Sequence, residues 1–504
     1  MLDYLKRLVT TGAAYQAGDI LSKGLAVLTL PIYTRHVTTA DYGAAANLLV
    51  FVVLVSIVLR LGVGEAFIRY YFDDDDIERR RRLSRSATGV VAWITSIASV
   101  VGVLEAQPLS KLVLGYHDAT LFSLAVLGLW SFTNLEMVYA QLRVDARAAT
   151  YMKASIANVV LTVGATVPLV LFGHLQARGL LLGNFGASGV IVVGLWWALR
   201  DRVGWRFRWA TVRSMLRFGL PTVPADASVY GLQVADRVYL FRVVSHGAAG
   251  LYGVAVQLAT IVFVAVRGFQ YAWPPLAYSI TDDDEAARLY SLVTTYYAVA
   301  TGVVVVAVAV LSRWIVRLLS GPQYYHAYRA LPWLALGWAL YGLLLVFVVI
   351  SGRARRTSRN FPAALAGLVA NVVLLVTLVP RGGANLGIAG AGIALCGAYL
   401  VNLGFMYWLT RDIFRVGFEW SRLARIVAVL GGVAVSGSLL LPTHGIGGLA
   451  LRVLWLGLMP IGLWVTRVPH EHEIATARRL AVAGLQRARE MRRPPLPPPE
   501  EPME

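Results

Sequence analysis

Asp226, Tyr230, Gln233 and Arg237 stand at i, i+4, i+7 and i+11 within one apolar run, a spacing that puts all four on a single helix face. A second run holds Gln16, Asp19 and Lys23 at i, i+3 and i+7, again on one face. Charges inside apolar spans are costly, so they usually line a cavity or pair with each other. Arg60 and Arg267 stand apart, because no carboxylate lies one turn away on either helix. A guanidinium fork matches the oxygens of a phosphate group, so two such arginines suit a phosphate-bearing substrate. Asp19, Asp226 and Glu65 are the carboxylates placed to carry a coupling cation. A blander reading competes. Asp19 with Lys23, and Glu65 with Arg69, are i, i+4 pairs that can neutralise each other. Asp236 beside Arg237 reads as a packing feature. The substrate-cavity candidates are therefore Arg60, Arg267, Lys23, Arg237, Gln16, Tyr230 and Gln233.

The elements that must hold these residues are membrane helices. The chain has 504 residues, 57% hydrophobic and 15% charged, with a mean hydropathy of +0.63. A soluble domain carries about 25% charged residues. Apolar stretches long enough to cross a hydrocarbon core of about 30 Å recur along the chain. The pattern predicts about fourteen spans: 11–34, 44–68, 86–104, 119–140, 154–173, 179–199, 218–241, 250–271, 289–312, 328–350, 361–379, 386–409, 424–441 and 448–466. The fold class is all-α and polytopic, with no polar segment long enough for a soluble domain.

Basic residues gather on alternate loops. One side carries Lys6 and Arg7, Arg79 to Arg82, Arg143, Arg147 and Lys153, Arg200 to Arg213, Arg353 to Arg359, and Arg411 to Arg422. The other holds only scattered ones, such as Arg35, Lys111, Arg178, Arg313 and Arg381. The positive-inside rule then places both termini in the cytoplasm. The net charge of +18 follows from this loop bias and does not call for a nucleic acid partner. The first apolar run contains Asp19 and Lys23 and is followed by no small-residue cleavage site. It reads as a retained span, not a signal peptide.

The chain also repeats itself. Ala157-Asn158-Val159-Val160-Leu161 returns at 370–374, Tyr42-Gly43 at 252–253, and the Trp197 to Asp201 stretch at 408–412. At the same offset Gln16 maps onto Asp226 and Lys23 onto Gln233, so equivalent faces are polar in both halves. An even number of spans per half makes the repeat parallel, related by an axis along the membrane normal. Four segments are expected: 1–215 and 216–412 as six-span halves, 413–466 as two added spans, and 467–504 as a basic, proline-rich tail. Prolines such as Pro31, Pro168, Pro221 and Pro224 fall in or at the ends of spans, where helices kink.

No enzyme signature emerges. Gly445-Ile446-Gly447-Gly448 lacks the following Lys-Ser/Thr of a phosphate-binding loop. The histidines show no metal spacing, and the lone Cys396 allows no internal disulfide. No cofactor and no metal are expected.

In order along the chain come Leu30-Pro31 with Thr38-Thr39-Ala40-Asp41-Tyr42-Gly43, Leu142-Arg143 through Tyr151, and Phe218-Gly219-Leu220-Pro221. Asp236-Arg237, Ala249-Gly250-Leu251-Tyr252-Gly253 and Gly387 through Gly392 complete the set. Together, over about 460 residues, they resemble the O-antigen-type polysaccharide flippase family of the multidrug/oligosaccharidyl-lipid/polysaccharide exporter superfamily. That resemblance implies two V-shaped lobes that alternate between inward- and outward-open states. It implies a bacterial inner-membrane location and an undecaprenyl-diphosphate-linked oligosaccharide as substrate. Coupling to protons or sodium, surrounding membrane lipids, and a glycan polymerase or export complex as partner follow by the same route. The alternatives within this fold are a lipid II flippase and a cation-coupled small-molecule exporter. A membrane scaffold for glycan assembly is the non-transport alternative. The mixture of acids and bases departs from a purely cationic funnel.

Overall fold

The computed structural model describes residues 21–468, apart from 22, 74, 75, 146, 281, 355, 357 and 358. Gln16, Asp19 and the basic tail lie outside the described residues. Every regular element among the described residues is helical. The first half comprises α1 (23–36), α2 (Thr39–Leu59), α3 (Val63–Tyr71), α4 (Ile77–Leu104), α5 (Ala106–Leu114), α6 (Ala119–Val144), α7 (Ala148–Leu171), α8 (Gln176–Ala198) and α9 (Trp209–Gly219). The second comprises α10 (Val223–Tyr239), α11 (His246–Ser279), α12 (Asp283–Leu319), α13 (Leu331–Arg353), α14 (Asn360–Leu378) and α15 (Gly387–Thr410). The added segment is α16 (Trp420–Leu440), α17 (Gly445–Leu456) and α18 (Leu458–Val465).

Twelve helices among the described residues are long and apolar enough to cross a membrane. They correspond to the expected spans two to six and eight to fourteen. Span one is described only from residue 21. Span seven corresponds to α10, which at 17 residues is shorter than any of these twelve. Two expected helices are broken. Span two, expected to run unbroken over 44–68, stops at Leu59 and restarts at Val63. Leu61 and Gly62 between them are left-handed, with φ of 50° and 67°, a conformation that costs a β-carbon-bearing residue. Span seven does not open at 218. Pro221 and Pro224 divide it into α9, one 3₁₀ turn (Leu220–Thr222) and α10, because proline removes a backbone donor.

Side-chain caps set the helix starts. The Thr38 hydroxyl accepts from Asp41 N (3.1 Å) to begin α2, and Ser245 accepts from Ala248 N (3.0 Å) to begin α11. The two acidic runs act alike. Asp76 accepts from Glu78 N (3.0 Å) at the head of α4, and Asp282 from Glu285 N (2.7 Å) at the head of α12. Each cap satisfies a backbone donor that a helix start leaves open.

The halves meet where α2 crosses α11. A β-carbon on Gly43 would lie 2.9 Å from Gly250 N and would collide with His246 O. One on Gly250 would collide with Thr39 O. Both glycines stand four residues after the first residue of their helix (43 − 39 and 250 − 246). Beside this crossing the turn after α1 is clasped by the second half. Gly321 N donates to Thr34 Oγ1 (2.9 Å), Gln323 Nε2 to Val37 O (2.8 Å) and Tyr324 Oη to Thr38 O (2.8 Å).

The buried apolar residues follow the same geometry. One core joins both halves near the crossing, with Leu48, Phe122 and Phe185 packed beside Tyr252, Leu258 and Leu334. Toward the basic loops it gives way to separate clusters. Phe67, Val90 and Met137 belong to the first half, and Trp273, Tyr290 and Phe347 to the second. α2 also packs on α10, and α16 packs on α12.

Candidate functional site

α2 and α11 cross near their starts, and each carries one arginine far along its length. Arg60 and Arg267 both lie 21 residues after the first residue of their helix (60 − 39 and 267 − 246), about 32 Å along a helix axis. Counted from the helix starts, the two positions are equivalent. Their surroundings differ.

Arg60 caps the end of α2. Its Nε is buried and meets no hydrogen-bond acceptor among the described residues. Across from it, Asp226 stands in the first turn of α10, where Glu65 and Arg60 are the charges that bear on it. Arg60, Glu65 and Asp226 thus form one group at the basic end. Glu65 is exposed at the start of α3 and is not the partner of Arg69, which pairs with Asp73 at 2.5 Å.

Arg267 belongs to a second group. Its Cζ lies 4.8 Å from the centre of the Phe263 ring, and Lys23 Nζ of α1 lies 5.3 Å from the same ring. Phe263 in turn packs on Trp338 of α13, centroid to centroid 4.4 Å. One ring thus gathers two cations from two helices. An aromatic face attracts a cation by its quadrupole. Phe263 was not singled out in the sequence, although its place one turn before Arg267 was a usable signal.

The third group lies nearer the crossing. Asp236 is 2% exposed. It accepts from the Tyr252 hydroxyl and from Arg237 N at 2.8 Å. Arg237 Nε is buried and meets no hydrogen-bond partner among the described residues, and its charge bears on both Tyr42 and Tyr230. Asp236 is a packing residue, as its sequence context suggests. Its tie to Tyr252 left no local signal, because the chain turns between them through Leu240–Val244. Gln233 is exposed on α10 between the first and third groups. The structure therefore brings Arg60 to Asp226 and Glu65, Arg267 to Lys23, and Arg237 to Tyr230, as three separate groups. Among the described residues no group of three or more His, Cys, Asp or Glu could hold a metal.

At the basic end of the first half, outside the spans, Asp145 ties three elements together. Arg202 Nη1 (2.5 Å), Gln141 Nε2 (2.9 Å) and the Tyr71 hydroxyl (2.5 Å) all donate to it. Burial, and then Asp145 itself, push the Tyr71 hydroxyl above its ordinary value, so it stays a donor.

A sequence profile described as "Polysaccharide biosynthesis protein" matches residues 32–329. The Lsg locus protein 1 of Haemophilus influenzae is 23% identical over 284 residues, which cover 52% of this chain and 64% of that protein, under two thirds of its length. Among solved structures, the lipid II flippase MurJ in an inward closed conformation superposes with a TM-score of 0.71 at 13% identity. The match covers 88% of this chain and 96% of that one. An inward-facing multidrug resistance MATE family transporter of the MOP superfamily gives 0.60 at 13% identity, over 78% and 94%. At such identities the likeness shows the fold.

Proposed function

Because the chain belongs to the family of polysaccharide biosynthesis proteins, we propose that it flips an undecaprenyl-diphosphate-linked oligosaccharide across the bacterial inner membrane by alternating access. The protein is a multi-pass membrane protein of transporter fold and not an enzyme. The observation that carries the substrate reading is the pair Arg60 and Arg267. Each lies 21 residues into one of two helices that cross at Gly43 and Gly250, and Lys23 joins Arg267 on one ring. A diphosphate carries the charge and the oxygen geometry for such a set. A carboxylate-lined pocket, expected of a cation-coupled drug exporter, fits these cations less well. Lipid II offers the same diphosphate and remains the related alternative.

In this reading the basic end faces the cytoplasm, with both termini there, as the positive-inside rule supports. The V opens toward that side and receives the head group, while the lipid stays in the membrane beside it. Segments 1–215 and 216–412 act as parallel halves. The proposed division at 215/216 falls within α9, which packs on the first half as far as Gly219. Segment 413–466 adds two spans and 467–504 a tail suited to a polymerase or export complex. Asp226, with Glu65 beside Arg60, carries the coupling proton or sodium ion, with Asp19 as the other candidate.

The test is surface glycan in cells whose only such transporter is this protein. Arg60→Ala/Arg267→Ala, stably expressed, is expected to abolish export and build up lipid-linked precursor. Normal export would refute the substrate reading.

A further inference from the structure

A cavity of about 600 Å³ lies between α12, α13 and α16. It is a gutter with unlike ends. On α12 it extends from Tyr297 to Arg313, 16 residues, or about 24 Å along the axis. Val305, Leu336 and Leu430 line its length. Its open side carries Val427 and Val435, 70% and 59% exposed. Such a wall suits hydrocarbon and not water.

Arg313, Arg329 and Arg452 line the end far from the basic loops. Arg452 and Arg313 rest on neutral groups. Arg452, 3% exposed, donates to Val310 O (2.7 Å), Leu441 O (3.0 Å) and Pro442 O (3.1 Å), with Trp314 5.0 Å below it. Arg313 lies 4.5 Å from the centre of the Tyr328 ring, and its charge bears on Arg452. Arg329 is exposed. The chain has no aspartate or glutamate from 286 to 411 or from 420 to 470, so the stretches that build this gutter bring no carboxylate to the arginines. Three neighbouring cations on stretches without an acid call for an outside anion. A cationic end on an apolar gutter of this length matches one lipid standing along the membrane normal.

We infer that this gutter binds an anionic glycerophospholipid, with one acyl chain along α12 and its phosphate at Arg313 and Arg329. Arg452 is the fixed floor of the head-group end. The site is distinct from the cavity between the halves, so its failure would leave the transport reading untouched.

Full-length protein, purified in detergent and offered equal amounts of phosphatidylglycerol and phosphatidylcholine, would be examined by native mass spectrometry. One retained phosphatidylglycerol is expected. Arg313→Gln/Arg329→Gln is expected to lower its retention roughly tenfold, while excess inorganic phosphate leaves it in place. Equal retention of the two lipids, unchanged retention in the double variant, or displacement by phosphate would overturn the inference. Should the double variant fail to fold, Ala434→Trp fills the gutter and leaves the arginines intact. It is expected to lose the lipid as well, and a lipid retained there is equally contrary.

Discussion

Gly43 and Gly250 press their backbones together where α2 crosses α11, each four residues into its helix. The contact leaves no room for a β-carbon on either side. From this contact α2 runs on to Arg60 at its end, and α11 runs on past Arg267 to Ser279.

Gly250→Val should force the crossing open, since the new side chain meets Thr39 O. Overpacking of this kind costs about 1–3 kcal/mol. A cysteine placed at Gln323, inside the clasp on Val37, should react faster with an impermeant maleimide in this variant. Labelling equal to that of the glycine protein would show that the crossing is not a closed contact.

Phe263→Ala removes the ring that Lys23 and Arg267 share. Cation–π contacts are worth about 0.5–2 kcal/mol, so apparent substrate affinity should fall several-fold while the protein still folds. Phe263→Trp should restore it. Affinity unchanged by the alanine variant would detach the ring from the site.

Tyr252→Phe should destabilise the protein without touching the cavity. It removes a donor from Asp236, which is 2% exposed. A buried acceptor left short costs about 1–3 kcal/mol. The readout is thermal unfolding in detergent, and an unchanged melting temperature would argue against the buried bond.

Asp145→Ala should cost more, about 3–5 kcal/mol, because its side chain is 3% exposed and receives Arg202, Gln141 and Tyr71 together. Tyr71→Phe should cost less, since Arg202 and Gln141 remain. Melting temperatures of the two variants in that order would support the network, and the reverse order would count against it.

The spans were legible because twenty-residue apolar runs have no other stable use. Their breaks were legible only in part. Pro221 and Pro224 announce the irregular start of span seven, whereas nothing around Leu61 and Gly62 distinguishes a left-handed break from a glycine tolerated within a helix. The reason is the Gly62–Gly219 contact, which is tertiary. The use of Asp76 and Asp282 as helix caps was not legible. The site residues were legible as types on faces. Their grouping was not, because an i, i+4 rule pairs Glu65 with Arg69, while the structure gives Arg69 to Asp73 and leaves Glu65 near enough to Asp226 for its charge to bear on it. The Lys23–Phe263–Arg267 group joins residues from two distant helices and left only the Phe263–Arg267 spacing as a trace.

The central claim is that Arg60 and Arg267 receive the diphosphate of a lipid-linked sugar. The direct measurement is flipping of a fluorescent undecaprenyl-diphosphate-linked oligosaccharide in proteoliposomes. Wild-type protein should move it, Arg60→Lys/Arg267→Lys should retain a fraction, and Arg60→Ala/Arg267→Ala should fall to the protein-free background. Transport by the alanine variant at the wild-type rate would contradict the account.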